Sequence, residues 1–214
     1  MLGSATAISF NLDLVGQGGP LTTPNRSSPD PAPEIPDTGD LRLRYYPDPV
    51  LAQRCRPLGA PGPAAQACIQ RMFELMYEHQ GIGLAAPQVG WNARVFVANV
   101  DPDRSTTDAE RVFIDPQVDP LADSREVAEE GCLSLPGIRL DVERARSVRV
   151  RALGFDGEPF ELETDDLLAR CIQHENDHID GILITARVST LQRIAIRPDL
   201  RELKSQWDEQ EGRT

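Results

Sequence analysis

Asp165-Asp166-Leu167-Leu168-Ala169-Arg170-Cys171-Ile172-Gln173-His174-Glu175-Asn176-Asp177-His178-Ile179-Asp180-Gly181 is the stretch that decides how this chain folds. Leu167, Leu168, Cys171, Ile172 and His178 recur at helical spacing; Thr164 or Asp165 is suited to cap the first turn, and Gly181 is placed to end the last. The spacing predicts a helix beginning near Asp165. Its aliphatic residues Leu167, Leu168, Ile172 and Ile179 predict that it is largely buried, and buried imidazoles need partners.

The end of this helix reads His174-Glu175-Asn176-Asp177-His178, an H-E-x-x-H pattern. Residues four apart share a helical face, so both imidazoles are able to hold one divalent ion while Glu175 lies beside a water bound to it. With three histidines in the chain, chance is a poor competitor for this spacing, and His79 reads as an ordinary surface residue. Catalytic sites of this type commonly use three protein ligands and keep one position open. Cys132, in Glu129-Glu130-Gly131-Cys132-Leu133-Ser134-Leu135-Pro136, is the leading third ligand, because glycine and proline let backbone approach a ligand closely. Cys171 is the rival, three residues before His174 on the same face. Three ligands along one face would be too spread out to surround a single ion, so Cys132 is favoured.

Working outward, Gly81-Ile82-Gly83-Leu84-Ala85-Ala86-Pro87-Gln88-Val89-Gly90 lacks the charge and the lysine of a phosphate cradle. Alone it reads as a structural turn; mechanistically, Gly83 would expose backbone to a peptide and the Gln88 amide would donate to a carbonyl oxygen. Ala64 to His79, with Ile69, Met72, Phe73 and Met76 at helical spacing, predicts an amphipathic helix ended by Gly81. Tyr46-Pro47-Asp48-Pro49 reads as a turn. Arg94 to Val100, Arg111 to Asp115, Ser147 to Ala152 and Pro159 to Glu163 read as strands bounded by turn formers, and Asp199 to Gln210 as a last helix after Pro198. Strands clustered between helices predict an α+β fold: mainly antiparallel sheet around a central H-E-x-x-H helix, with one helix in the N-terminal half and one at the C-terminus.

Met1 to Asp40 combines six prolines with Gly16, Gly18, Gly19 and a Ser-Ser pair, and is expected to be a disordered extension before a single domain from Leu41 to Thr214. A transit segment is not expected here, because such segments are Arg-rich and poor in acids whereas this one has Arg26 alone beside Asp13, Asp30, Glu34 and Asp37. The 214 residues are 40% hydrophobic and 26% charged with no long apolar run, which excludes membrane spanning. A net charge of -12 opposes direct nucleic-acid binding. Cys55, Cys68, Cys132 and Cys171 lack the spacing of a disulfide framework, so a reducing cytoplasm is expected.

Taken together and in order, Gly81 to Gln88, Glu130 to Ser134 and Gln173 to His178 resemble the peptide deformylases, whose signatures are a GxGxAAxQ loop, an EGCLS turn and a QHExDH helix. The resemblance runs from about Leu41 to Gln210. It implies a monomeric hydrolase that cleaves N-formylmethionyl nascent peptides to formate and a free amine, usually with Fe(II), with Zn(II), Ni(II) or Co(II) able to occupy the same site. Carried over by position, it implies Cys132, His174 and His178 as metal ligands and Glu175 as acid and base. The Gln88 amide and the backbone N–H of Leu133 would meet the developing oxyanion. It also implies that Ile82, Leu167, Cys171 and the aliphatic part of Arg170 lie near the methionine side chain, that Gly83 pairs with the peptide backbone, and that Arg139 belongs to the substrate site.

This sequence departs from the family pattern after the helix. Where Gly-x-Leu-Phe-x-Asp is common, Gly181 to Ala186 puts Ile184 and Ala186, and Asp166 stands where glycine is common. Relatives often dock on the ribosome through a basic tail, but here Arg193, Arg197, Arg201, Lys204 and Arg213 are balanced by Asp199, Glu202, Asp208, Glu209 and Glu211, so ribosome contact is expected to be weak. Two rivals remain. One is a zinc peptidase with Glu202 as third ligand, and the other a non-catalytic relative that binds formylated peptides. Cys132 and the glycine loop weigh against the first, and Glu175 and Gln88 against the second.

Overall fold

Val95-Phe96-Val97-Ala98 alternates its side chains between two faces, and all four residues are buried. A sheet containing such a strand must be covered on both sides. In the computed structural model, which describes residues 31–103, 107–121, 123–210 and 212, this strand is β2 (Val95–Ala98) of a five-stranded antiparallel sheet. Its neighbours are β1 (Gly83–Ala85) and β3 (Arg111–Pro120), followed by β6 (Ser147–Leu153) and β7 (Pro159–Asp165), in the order β1-β2-β3-β6-β7. A second sheet is the hairpin of β4 (Arg125–Cys132) and β5 (Leu135–Ala145).

Four α-helices are described: α1 (Pro63–Glu78), α2 (Asp166–Ile179), α3 (Thr190–Ala195) and α4 (Arg197–Gln210). Val95 and Val97 pack with Ile69, Met72 and Met76 of α1 on one face of the large sheet. Phe96 and Ala98 pack with Phe113, Val148 and Val150, and with Ala169, Cys171 and Ile172 of α2, on the other. Phe96 and Phe113 face each other in register with ring centroids 4.7 Å apart. Each such fully buried side chain contributes about 1.5–3 kcal/mol. Helix α2 also meets β5, and the hairpin residues Leu135, Ile138, Leu140 and Val142 form a third core with Ile184, Val188, Ile196 and Leu203. Helix α2 thus has contacts with strands of both antiparallel sheets.

Several elements differ from expectation for physical reasons. Helix α1 does not end on Gly81: Gln80 takes the left-handed position at φ 57°, and Gly81 lies close under the hairpin, where a Cβ would stand 2.8 Å from Leu133 Cδ1. Strand β3 runs on to Pro120 through an irregularity after Ile114, where Asp115 turns left-handed at φ 50° and accepts from the N–H groups of Leu58 and Gly59. The β4–β5 hairpin was not expected, since its β4 half, Arg125 to Cys132, carries few apolar residues and its signal is weak. Pro198 does not end an element but sits in the first turn of α4, where its missing N–H is harmless, and the short α3 precedes it with Ser189 as cap.

Of the extension expected from Met1 to Asp40, residues 1–30 lie outside the described residues, as do Glu211 and Arg213 of the C-terminal charge balance. Residues 31–40 are not loose. Trp91 Nε1 donates to the Glu34 carbonyl at 3.1 Å and the Cys68 thiol to that of Pro36 at 3.3 Å, so the folded part begins before Leu41. All four cysteines are unpaired, and no described helix is long and apolar enough to cross a membrane.

Candidate metal centre and substrate cavity

Helix α2 presents His174 and His178 one turn apart, with ring centroids 5.0 Å from each other, towards the end of β4. There a two-residue turn, Leu133-Ser134, joins Cys132 to Leu135 and aims the Cys132 thiol at the helix. Cys132 Sγ lies 3.2 Å from His178 Nε2, and one ligand atom from each of Cys132, His174 and His178 falls within 4.8 Å of the others. Ligands at 2.0–2.3 Å around a tetrahedral ion are about 3.3–3.8 Å apart, so small side-chain adjustments suffice for all three to share one cation. Two imidazoles and a thiol form a donor set suited to a borderline divalent ion.

The electrostatics fit the same occupant. Burial opposes charge on His174, but hydrogen bonds to Cys132 and Glu130 outweigh it and hold the imidazole well above its usual range, so this point draws positive charge and a cation binding there would displace a proton. His178 goes the other way: burial and the charges of His174 and Arg144 keep it neutral, as a ligand must be. Its Nδ1 finds no hydrogen-bond partner among the described residues.

Glu130 was not assigned a role from sequence, yet its carboxylate is buried and accepts at Oε2 from His174 Nδ1 at 2.9 Å. Burial pushes this carboxyl up, while the bonds from His174 and Arg144 overcome that and hold it at about 2. A carboxylate on the far nitrogen of a ligating histidine fixes both its tautomer and its orientation. Arg144 and Arg170 complete the bracket from β5 and α2, Arg144 through two 3.0 Å bonds to the Glu130 oxygens. The signal was present: Ile138, Leu140, Val142 and Arg144 alternate along β5, so Arg144 holds a charged residue in the inward register.

Glu175 is buried beside the donors, and burial raises its carboxyl to about 7, offset in part by the His174 charge. Its Oε2 is without a hydrogen-bond partner among the described residues. Such a carboxylate takes and returns a proton readily near neutral pH. Across from it, Gln88 sits in the 3-10 turn Ala86–Val89, where Oε1 accepts from the Ala85 N–H at 2.8 Å. That bond fixes the amide: Nε2 points to Ser134 Oγ at 3.2 Å and towards Cys132 Sγ at 3.7 Å.

A cavity of about 610 Å³ opens from this centre, within the range that holds a small ligand. Ile82, Gly83, Gln88, Leu133, Arg139, Leu167, Arg170, Cys171, His174 and Glu175 all line it, so the residues singled out from sequence converge. The Arg170 guanidinium is taken up by Glu130 and by the carbonyls of Val142 and Glu126, which leaves its stem for the cavity. Arg139 is two-thirds exposed at the rim, 3.6 Å from Glu129, and the exposed His79 lines the rim as well. Cys171, the rival ligand, stands outside the three-donor group: its Sγ is directed to the Ile82 carbonyl at 3.6 Å, and burial pushes its thiol well up. Gly83 allows close approach, because a Cβ there would fall 2.5 Å from Glu175 Oε1 and 2.6 Å from Cys171 Sγ and something would have to shift. Glu202, the third ligand of the peptidase alternative, is exposed on α4 and also outside that group. The departures after the helix are absorbed, with Ile184 buried against the hairpin and Ala186 exposed.

Comparison with known proteins agrees with this geometry. The family model described as polypeptide deformylase matches residues 41–194. The peptide deformylase of Stutzerimonas stutzeri is 42% identical over 166 residues, 78% of this chain and 97% of the relative. That of Pseudomonas aeruginosa is 44% identical over 160 residues, 75% of this chain and 94% of its own. Among solved structures, the Plasmodium falciparum peptide deformylase superposes with a TM-score of 0.75 at 32% identity, covering 78% of this chain and 98% of that one. The enzyme from Thermotoga maritima gives 0.65 at 40%, covering 70% and 97%. On its sequence and on its fold, this chain belongs to the polypeptide deformylase family.

Proposed function

We propose that the chain hydrolyses the N-formyl group of formylmethionyl nascent peptides at a divalent metal held by Cys132, His174 and His178. The observation that carries the reading is the meeting of three ligand atoms from β4 and α2 next to a buried carboxylate held at about 7. A metal bound there would supply Lewis acidity to the formyl oxygen and lower the pKa of a water. The chain's own residues do the rest. Glu175 takes a proton from the attacking water as its oxygen bonds to the formyl carbon, and returns one to the amine as the C–N bond breaks, giving formate and a free N-terminus. The Gln88 Nε2 amide and the Leu133 N–H donate to the formyl oxygen as its charge develops.

Ile82, Leu167, Cys171 and the stem of Arg170 form the slot for the methionine side chain, a flexible thioether that suits an apolar wall. Gly83 offers its backbone to the peptide, and Arg139 stands where the following residues leave the cavity. Fe(II) is the ion proposed in the cell, with Zn(II), Ni(II) and Co(II) as functional substitutes, since thiolate and imidazole accept several ions. The protein is proposed to act as a cytoplasmic monomer. On α4, Arg201 and Lys204 stand among Asp199, Glu202 and Asp208, and Lys204 pairs with Asp208 at 2.5 Å, so only weak, salt-sensitive ribosome contact is proposed.

The test is anaerobic purification with metal analysis, coupled to formate release from a formyl-methionyl peptide. One divalent ion per chain and metal-dependent formate release are expected. Stoichiometric metal without formate release would replace the hydrolase with a binding protein.

A further inference from the structure

Outward from His174, the ionic bonds run on past the residues that face the cavity. Glu130, which holds His174 Nδ1, is gripped by Arg144; Arg144 Nη1 donates to Asp177 Oδ2 at 2.5 Å. Asp177 in turn accepts from Arg187 Nε at 2.9 Å on Oδ2 and from Arg187 Nη2 on Oδ1. We propose that Arg187 is a positioning residue for the metal ligand His174, acting through Asp177, Arg144 and Glu130. The inference rests on the metal centre proposed above.

Three observations carry it. Arg187 alone in this relay comes from outside the helix and the hairpin, just after the 3-10 turn Ile184–Ala186, so it fastens the chain leaving α2 back onto α2. It holds both oxygens of Asp177, and Oδ1 has Arg187 as its described partner whereas Oδ2 is shared with Arg144. Without that fork the carboxylate is free to turn, and Arg144 loses the fixed acceptor opposite the one it uses for Glu130. Finally, Arg144, Asp177 and Arg187 line a polar cavity of about 200 Å³ together with Gln173 and Asn176. The side chains of Arg144 and Asp177 are 5% and 7% exposed and that of Arg187 is 43% exposed. Arg187 is therefore the most solvent-facing of these three side chains, and removing it lets water screen the hold of Arg144 on Glu130.

Loosening the carboxylate behind a ligating histidine weakens metal binding by about 10- to 100-fold, and Arg187 acts three links further out, through Asp177 and Arg144, so the lower end applies. The test uses the full-length protein loaded with Co(II). The rate at which excess chelator strips the ion is measured well below the unfolding temperature, together with the thiolate-to-cobalt absorption band. Arg187→Met is expected to release Co(II) about 10-fold faster and to alter the band. Arg187→Lys should fall between it and the parent, because an ammonium keeps the charge without the two-pronged geometry. Arg94→Met is the control: Arg94 clamps Asp180 at the end of the same helix at 2.6 Å, with no bond to the Glu130 bracket, and should leave the rate unchanged. Parent-like release from Arg187→Met, or equal acceleration by Arg94→Met, overturns the proposal, the second by showing that any loosening of α2 suffices. Should Arg187→Met fail to fold, Arg187→Lys decides: faster release supports the relay and an unchanged rate rejects it. A parent protein that takes up no Co(II) overturns the metal centre itself and this inference with it.

Discussion

Helix α2 and the β4–β5 hairpin face each other across one site and contribute to it by different physics. The helix brings His174, Glu175 and His178 together by backbone geometry alone, since one turn of helix places i and i+4 side by side whatever surrounds them. The hairpin brings Cys132, Glu130 and Arg144 by register: Glu130 stands opposite Leu140 and Cys132 opposite Leu135, and a slip of one residue would turn all three away from α2. The helix thus carries chemistry that local sequence specifies, while the hairpin's share depends on its apolar residues docking against Ile184, Val188, Ile196 and Leu203.

Removing one functional group from each side should separate the two contributions most sharply. Cys132→Ala is expected to abolish stoichiometric metal and reduce formate release to background, while chemical denaturation of the metal-free protein changes by no more than about 0.5 kcal/mol. Glu175→Ala is expected to keep the metal and lose about 10²- to 10⁴-fold in turnover. If Cys132→Ala retained metal and rate, the hairpin would be a bystander and the comparison would collapse.

Gln88 belongs to neither region and touches the hairpin through Ser134 and Cys132. Gln88→Leu removes the donor while keeping most of the volume, and is expected to cost about 10²- to 10³-fold in kcat with KM little changed. A rise in KM at constant kcat would make Gln88 a substrate anchor instead. Gly83→Ala probes how tightly β1 is pressed on the helix. With the added methyl 2.5 Å from Glu175 Oε1 and 2.6 Å from Cys171 Sγ, overpacking is expected to destabilise by about 1–3 kcal/mol in urea unfolding. An unchanged midpoint would mean that α2 is able to withdraw from the sheet.

This contrast also explains how much was legible beforehand. The helix, its two histidines, Glu175 and the stop at Gly181, which is left-handed at φ 75°, could be read because each depends on residues within a turn or two of one another, whereas Asp165 takes the N-cap position without the side-chain capping bond expected of it. Cys132 could be placed only through its glycine-rich neighbourhood and a family likeness, and the strand that bears it, with its exposed Val127 and run of acids, gave no clear period. Glu130, Arg144 and Asp177 went unassigned because a buried charge looks like a surface charge until its partner is known; these partners lie 14, 33 and 44 residues apart in sequence. The left-handed turn at Gln80 was missed for a related reason. Glycine is the residue expected there and Gly81 was next in line, but Gln80 takes the left-handed conformation one position earlier, while Gly81 lies against Leu133 of the distant hairpin.

The smallest expected effect concerns where even the helix stops being self-sufficient. Strand β7 ends at Asp165 and α2 begins at Asp166 with no loop between them, and the chain makes the turn by placing Asp166 at φ 51°, with its N–H donating to the Arg146 carbonyl at 3.1 Å. An L-residue there carries about 1–2 kcal/mol of strain, less for aspartate than for most, and the sheet imposes it. Asp166→Gly relieves the strain but adds freedom to the unfolded chain, and its ion pair with Arg146 is exposed at 3.6 Å and contributes little. A net gain of about 0.5 kcal/mol is expected for Gly, and a loss of about 1 kcal/mol for Asp166→Ala, which keeps the Cβ without the polar side chain that tolerates this conformation. The order Gly above Asp above Ala in thermal unfolding would show that the sheet dictates the entry to the helix. Ala equal to or above Gly would show that α2 begins on its own terms.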